Sequence, residues 1–176
     1  MILLYLLTFS RVVTGLVFGL SVLGKVRRPA AFAQTIASFR LLPPALSRGA
    51  AGLILAGEAG VVGCLMAGGS LVLPGLLGAA SLLLLFSAAL ASVLRRQITT
   101  SCSCFGPTRQ LVVPLDLGRN AGFLVCAIAG GGAELGLPTP PPTLGVAGWG
   151  VASAVAVIFV ATWLHLRELG QLVHAG

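Results

Sequence analysis

Residues 71–94 read LVLPGLLGAASLLLLFSAALASVL, a run without one ionisable side chain. A helix of that run would reach roughly 36 Å at about 1.5 Å per residue, enough to cross some 30 Å of hydrocarbon. The rest of the chain agrees with that reading. Charged residues make up 9% of its 176 residues and apolar residues 57%. A typical soluble domain is roughly 25% charged. A surface this poor in charge is suited to lipid rather than water.

Working outward, four more runs read as membrane helices, over about 2–23, 46–66, 121–137 and 144–166. The fourth is short, rich in glycine and carries Glu134, so it is expected to extend toward Leu117 or to lean on protein contacts. The first reads as a span rather than a signal peptide: no basic region precedes it, Arg11 lies inside it, and no small-residue cleavage site follows. Basic residues cluster in two loops. Lys25, Arg27, Arg28, Arg40 and Arg48 flank the first loop, and Arg95, Arg96, Arg109 and Arg119 flank the third. The intervening short loops have none. The positive-inside rule therefore places the N-terminus outside and the C-terminus in the cytoplasm, in a plasma or inner membrane.

The same pattern excludes other classes. The formal charge of +7 is scattered between apolar runs, not gathered on one stripe, so it does not describe a nucleic-acid binder. Disorder is incompatible with this hydrophobicity. The apolar runs also argue against a secreted disulfide scaffold, despite four cysteines. There is no glycine-rich phosphate loop with lysine, no histidine pair spaced for haem or zinc, and no cofactor site is expected.

Two loops have substance. In 24–44, Phe32, Ile36, Phe39 and Leu42 recur every three or four residues, which predicts a short amphipathic helix on the inner face. Arg27-Arg28-Pro29 starts it and Pro43-Pro44 ends it. The longer loop, 95–119, holds Cys102-Ser103-Cys104-Phe105-Gly106-Pro107. A disulfide between cysteines one residue apart closes a small, strained ring, which exchanges readily. Gly106-Pro107 supplies a turn, and Arg95, Arg96 and Arg109 supply a basic neighbourhood that favours thiolate. The alternatives are idle thiols in a loop or half of a metal site, although structural zinc takes four ligands. Cys64 and Cys126 fall inside spans and read first as small packing residues, with a disulfide relay as the alternative. The 137–142 stretch reads as a stiff, proline-rich outer turn.

Arg11 and Glu58 are the two ions within strong spans. Counted from opposite faces, both come out near mid-depth, which predicts an ion pair between the first two spans; Lys25, which belongs at the inner surface, competes for Glu58 only if the second span is shifted. Gly15 and Gly19 in the first span and Ala56, Gly60 and Cys64 in the second would let those helices approach closely, as would Gly148, Ala152 and Ala156 in the last span. Trp149 and Trp163 sit where interfacial anchors belong.

Taken in order, Arg11-x-x-x-Gly15, Gly24-Lys25, Phe32, Ile36, Phe39, Leu42-Pro43, Glu58-x-Gly60, Cys102-x-Cys104-Phe105-Gly106 and Arg119-Asn120 resemble the methylamine-utilisation MauE family, within the DoxX-like small membrane proteins. The resemblance covers roughly residues 5–135. It implies an all-α integral membrane fold: a DoxX-like bundle of four helices, here with one additional C-terminal transmembrane helix. It also implies thiol–disulfide handling with a thioredoxin-like partner, which in that family serves maturation of a disulfide-rich dehydrogenase outside the cytoplasm. The positive-inside count instead puts Cys102 and Cys104 inside, so the pair either exchanges with a cytoplasmic thiol donor or sits in a loop that folds back into the bundle and is reached from outside. On this reading Cys102 and Cys104 are the reactive pair. Arg11, Lys25, Glu58, Arg119 and Asn120 are supporting polar residues, and Cys64 and Cys126 become secondary thiols only under the relay alternative. Two other readings are a non-enzymatic membrane scaffold for a partner protein, and a small-molecule permease built around Arg11 and Glu58.

Overall fold

The computed structural model describes residues 1–39, 43–97, 101–102, 110–111, 113–138 and 144–165. Its helices are α1 (Ile2–Arg27), α2 (Pro29–Ser38), α3 (Pro44–Ala67), α4 (Val72–Arg95), α5 (Pro114–Leu135) and α6 (Val146–Leu164). A single 3₁₀ turn, Gly69–Leu71, links α3 to α4. Three of the helices begin on proline: Pro29, Pro44 and Pro114. There the missing N–H has no intrahelical acceptor to lose and the fixed φ already suits a helix. The proline-rich turn expected over 137–142 lies mostly outside the described residues.

The long helices alternate in direction. Arg11 of α1 meets Leu65 of α3, while Lys25 further along α1 meets Glu58 earlier in α3. In the same way Asn120 of α5 bonds to Leu83 of α4, while Gly130 later in α5 lies against Leu76. Helices α1, α3, α4 and α5 close a ring in which each packs on the next, and α6 lies against α1. This is the expected four-helix bundle with one helix added at the C-terminus.

Among the described residues, four helices are long and apolar enough to cross a membrane, and α5 is not among them. Its 22 residues nonetheless run the height of the bundle, from Ser87 of α4 to Leu3 of α1. Asp116, Arg119 and Asn120 in its first turns and Glu134 in its last leave only a short apolar middle. Packing on α1 and α4 compensates, with Phe123, Ala127, Gly130, Gly131 and Ala133 buried between them. The helix begins earlier than the expected 121 because its start lies in the polar loop. The Asp116 carboxylate accepts the Val113 N–H at 3.0 Å, while Asp116 N–H donates to the Val113 carbonyl at 2.9 Å. This caps the exposed donors of the first turn.

The core is an apolar stack that includes Val13, Val17, Phe18, Leu76, Ala79, Leu83, Phe123, Ala127 and Ala156. Large apolar side chains such as Leu53, Leu77, Leu85, Ile128 and Ile158 face outward instead. In water that pattern would be a liability; it is what a lipid-facing surface requires.

Close helix contact follows the small-residue spacing only in part: Cys64 of the second-span face lies against Gly75 of α4, where an added Cβ would stand 3.1 Å from its Cβ. A Cβ added at Gly15, Gly19 or Gly60 would meet nothing within 4 Å, so these glycines open onto the outside of the bundle. Two tight approaches are at Gly130, where an added Cβ would stand 2.6 Å from Ser10 Cβ of α1, and at Gly122, where it would stand 2.5 Å from the Trp163 ring. That room lets the Trp163 indole N–H donate to the Arg119 carbonyl at 3.0 Å, tying α6 to α5. In the last span the expected face does pack: Ala152 and Ala156 are buried.

Candidate functional site

Two places hold chemistry, and both involve the same end of the bundle. The C-terminal ends of α1 and α4 and the N-terminal ends of α3 and α5 all meet there. With them come Arg27, Arg28, Arg48, Arg95, Arg96 and Arg119. The two loops richest in basic residues therefore share one face of the molecule.

Inside that end sits an ion pair. Lys25 Nζ donates to Glu58 Oε1, and the two side chains are 2% and 1% exposed. The Ser21 hydroxyl lies between them. It accepts from Lys25 Nζ at 2.9 Å and is within 3.2 Å of Glu58 Oε1, to which it donates. The ammonium also rests 4.7 Å from the centre of the Phe32 ring and 5.0 Å from that of Phe86. Desolvated cation–π contacts of this kind contribute about 0.5–2 kcal/mol each. Phe32 belongs to the amphipathic helix α2, so that helix closes the pair from the basic end.

The expected Arg11–Glu58 pair is thus replaced by Lys25–Glu58. Side chains on a helix lean toward its N-terminus. For α1 that lean carries Arg11 away from mid-depth toward the far end, and carries Lys25 from the basic end into the bundle. Glu58 leans toward the N-terminus of α3, which is the basic end, and so meets Lys25. Depth counted at the Cα ignores this displacement. Arg11 instead donates through Nε to the Leu65 carbonyl at 2.7 Å and through Nη2 to Met66 at 3.5 Å, which caps the end of α3. Its guanidinium lies 5.5 Å from the centre of the Trp149 ring and within electrostatic reach of Glu134. Gly68 makes room for it. An added Cβ there would stand 2.9 Å from Arg11 Nη2, and Gly68 has φ +75°, a conformation glycine favours. Two members of the buried cluster were absent from the sequence reading. Ser21 was signalled by its position four residues before Lys25. Phe86 lay within a uniformly apolar run and gave no signal.

Arg119 and Asn120 serve the α4–α5 seam. Asn120 Nδ2 donates to the Leu83 carbonyl at 2.8 Å and to the Ser87 hydroxyl at 2.7 Å. Arg119 Nη1 stands 3.8 Å from Asp116 Oδ1, one turn earlier.

The second place is the loop between α4 and α5. Strands β1 (Ser101–Cys102) and β2 (Gln110–Leu111) pair antiparallel, with Ser101 opposite Leu111 and Cys102 opposite Gln110. The backbone of Cys102 is therefore fixed at the end of a ladder. Cys104, with Phe105, Gly106, Pro107 and Arg109, lies outside the described residues. Cys64 and Cys126 are free thiols, each partly buried. Cys64 is in the last turn of α3, at the end of the bundle opposite the loop, and Cys126 is midway along α5.

The chain belongs to the family of methylamine utilisation protein MauE, whose model matches residues 3–133. The match covers the four-helix ring, the buried ion pair and the cysteine loop, and stops short of α6. No curated protein and no solved structure matches the chain.

Proposed function

We propose that this MauE-family chain is a membrane thiol–disulfide exchange protein. In this reading Cys102 and Cys104 pass electrons to or from a thioredoxin-like partner. The observation that carries it is the ladder Ser101–Leu111 and Cys102–Gln110 at the base of the loop. Among the described residues this two-residue ladder is the one strand pairing, and it gives the backbone of Cys102 a fixed partner in the loop that follows Arg95 and Arg96 and leads into α5. A partner can dock against such a base, and nearby cations favour the thiolate that performs exchange.

The step balances as two successive displacements. A thiolate of the reduced partner attacks one sulfur of the loop disulfide, and the other loop sulfur leaves as thiolate. The second partner thiol then breaks the mixed disulfide. The partner departs as a disulfide, and the loop holds two thiols and two electrons. The reverse sequence oxidises the loop and reduces the partner. Mass-tag trapping of membranes should show Cys102 and Cys104 gaining two taggable thiols together between oxidising and reducing conditions. An unchanged modification state at both cysteines while the partner cycles would sink the proposal.

The alternating helices put the basic ends of α1, α3, α4 and α5 on one side, and the proposed orientation makes that side cytoplasmic. The loop cysteines then exchange with a cytoplasmic thiol pair. A reporter fused to the C-terminus is expected to fluoresce or act only in the cytoplasm. Activity only outside would reverse the topology and with it the side from which the loop is reached. The separate partners of Arg11 and Glu58, the Leu65 carbonyl and Lys25, favour thiol exchange over a permease built on those two residues.

A further inference from the structure

A groove of about 450 Å³ runs between α2 and α3 at the basic end. Ligand sites commonly fall within about 300–1,000 Å³ and combine apolar walls with a few placed polar groups. Here Ala33 and Ala37 of α2 and Ala51 and Gly52 of α3 form walls of small side chains. Ser47 and Arg48, in the first turns of α3, stand at the end nearest the helix terminus.

Two observations indicate that this groove is made to be filled. Ser47 is 3% exposed, and its hydroxyl has no hydrogen-bond partner among the described residues. A buried hydroxyl without a partner keeps its full desolvation penalty, so a polar group in the groove would relieve it. Arg48 is exposed at the mouth, and no acidic side chain lines the groove. Among the described residues, the acids lie elsewhere. Glu58 is bound to Lys25, Asp116 caps α5, and Glu134 is in the last turn of α5. Lys25 borders the groove, but its charge is matched by Glu58.

We infer that the groove holds one anionic phospholipid. Its phosphate group lies at Arg48 and accepts a hydrogen bond from Ser47, and one acyl chain lies along the alanine and glycine walls. Charge complementarity selects an anion, and the apolar walls select an amphiphile over a free ion. The surrounding bilayer supplies such a molecule at the level where a span ends. The inference is independent of the cysteine chemistry.

The test uses the full-length protein in mild detergent, with native mass spectrometry counting retained phosphatidylglycerol against phosphatidylcholine. Phosphatidylglycerol should be retained preferentially, as one molecule per chain. Arg48→Gln should weaken its retention about tenfold, the equivalent of one charge-assisted hydrogen bond. Gly52→Leu should exclude the lipid while the protein keeps its thermal stability, since a Cβ at Gly52 meets nothing within 4 Å. Arg95→Gln, at the same end but off the groove, should retain it like the unmodified protein. Equal retention of the two lipids, full retention by Gly52→Leu, or an equal loss in Arg95→Gln would overturn the site. Displacement by millimolar inorganic phosphate would mean that a free anion, not a lipid, is the ligand.

Discussion

Glu58→Gln is expected to lose most of the folded protein from the membrane, and Lys25→Met to do nearly as much. Each leaves one ionisable partner buried at 1–2% exposure without its counter-ion. Breaking a buried pair from one side typically costs about 3–5 kcal/mol, a large part of the total stability of a small domain. Glutamine can still accept the Ser21 hydroxyl, so the variant separates the loss of charge from the loss of shape. The ammonium would keep Phe32 and Phe86 as neighbours, but ring contacts of about 0.5–2 kcal/mol each do not replace a carboxylate. The double variant Lys25→Met, Glu58→Leu should recover much of the loss, because replacing both partners with apolar groups is often neutral. Fluorescence-detected size exclusion after heating would measure all three. Single variants as stable as the parent, or a double variant as damaged as the sum of its parts, would mean that the pair does not hold the bundle together.

The residues at this pair also explain how far the sequence could be read. The helices themselves were legible because length and apolarity are one-dimensional properties. Residues 71–94 became α4 almost unchanged, and Phe32 and Ile36 announced α2 by their spacing. The basic loops gave the common end of four helices. Pairing was harder, since it depends on where a side chain ends, not where its Cα lies. Arg11 and Lys25 share α1 and lean the same way, yet that lean takes one to the carbonyls of Leu65 and Met66 and the other into the bundle. Small residues posed a similar problem of direction. Gly15, Gly19 and Gly60 have the spacing of a contact seam but face open space, while Gly122 sits against Trp163. Periodicity shows that a helix has a small-residue face; only the positions of its neighbours show which one they cover. The start of α5 was hidden for another reason. Pro114 and Asp116 begin it by backbone geometry and capping, in a stretch whose polarity reads as loop.

Cys102→Ser and Cys104→Ser are each expected to abolish cycling of the thioredoxin-like partner while leaving the protein in the membrane at normal abundance. The two should differ in one respect. Exchange starts when a thiolate attacks a disulfide sulfur, and it ends only when a second thiol resolves the mixed disulfide. Removing the resolving cysteine traps the covalent complex; removing the attacking one prevents it. One single variant should therefore accumulate a mixed disulfide with the partner, visible on non-reducing gels and lost on reduction, and the other should show none. The ladder holds the backbone of Cys102 in the loop between α4 and α5 through hydrogen bonds that serine preserves, so Cys102→Ser leaves the base of the loop in place. Cys64→Ser is the control with the sharpest contrast. Cys64 sits in the last turn of α3, across the bundle from the loop, and direct sulfur-to-sulfur exchange needs contact. That variant should cycle the partner normally. Normal cycling in both loop variants would point instead to a scaffold that assembles its partner without exchanging thiols. A loss in Cys64→Ser equal to that of the loop variants would require electrons to cross the bundle through the span cysteines.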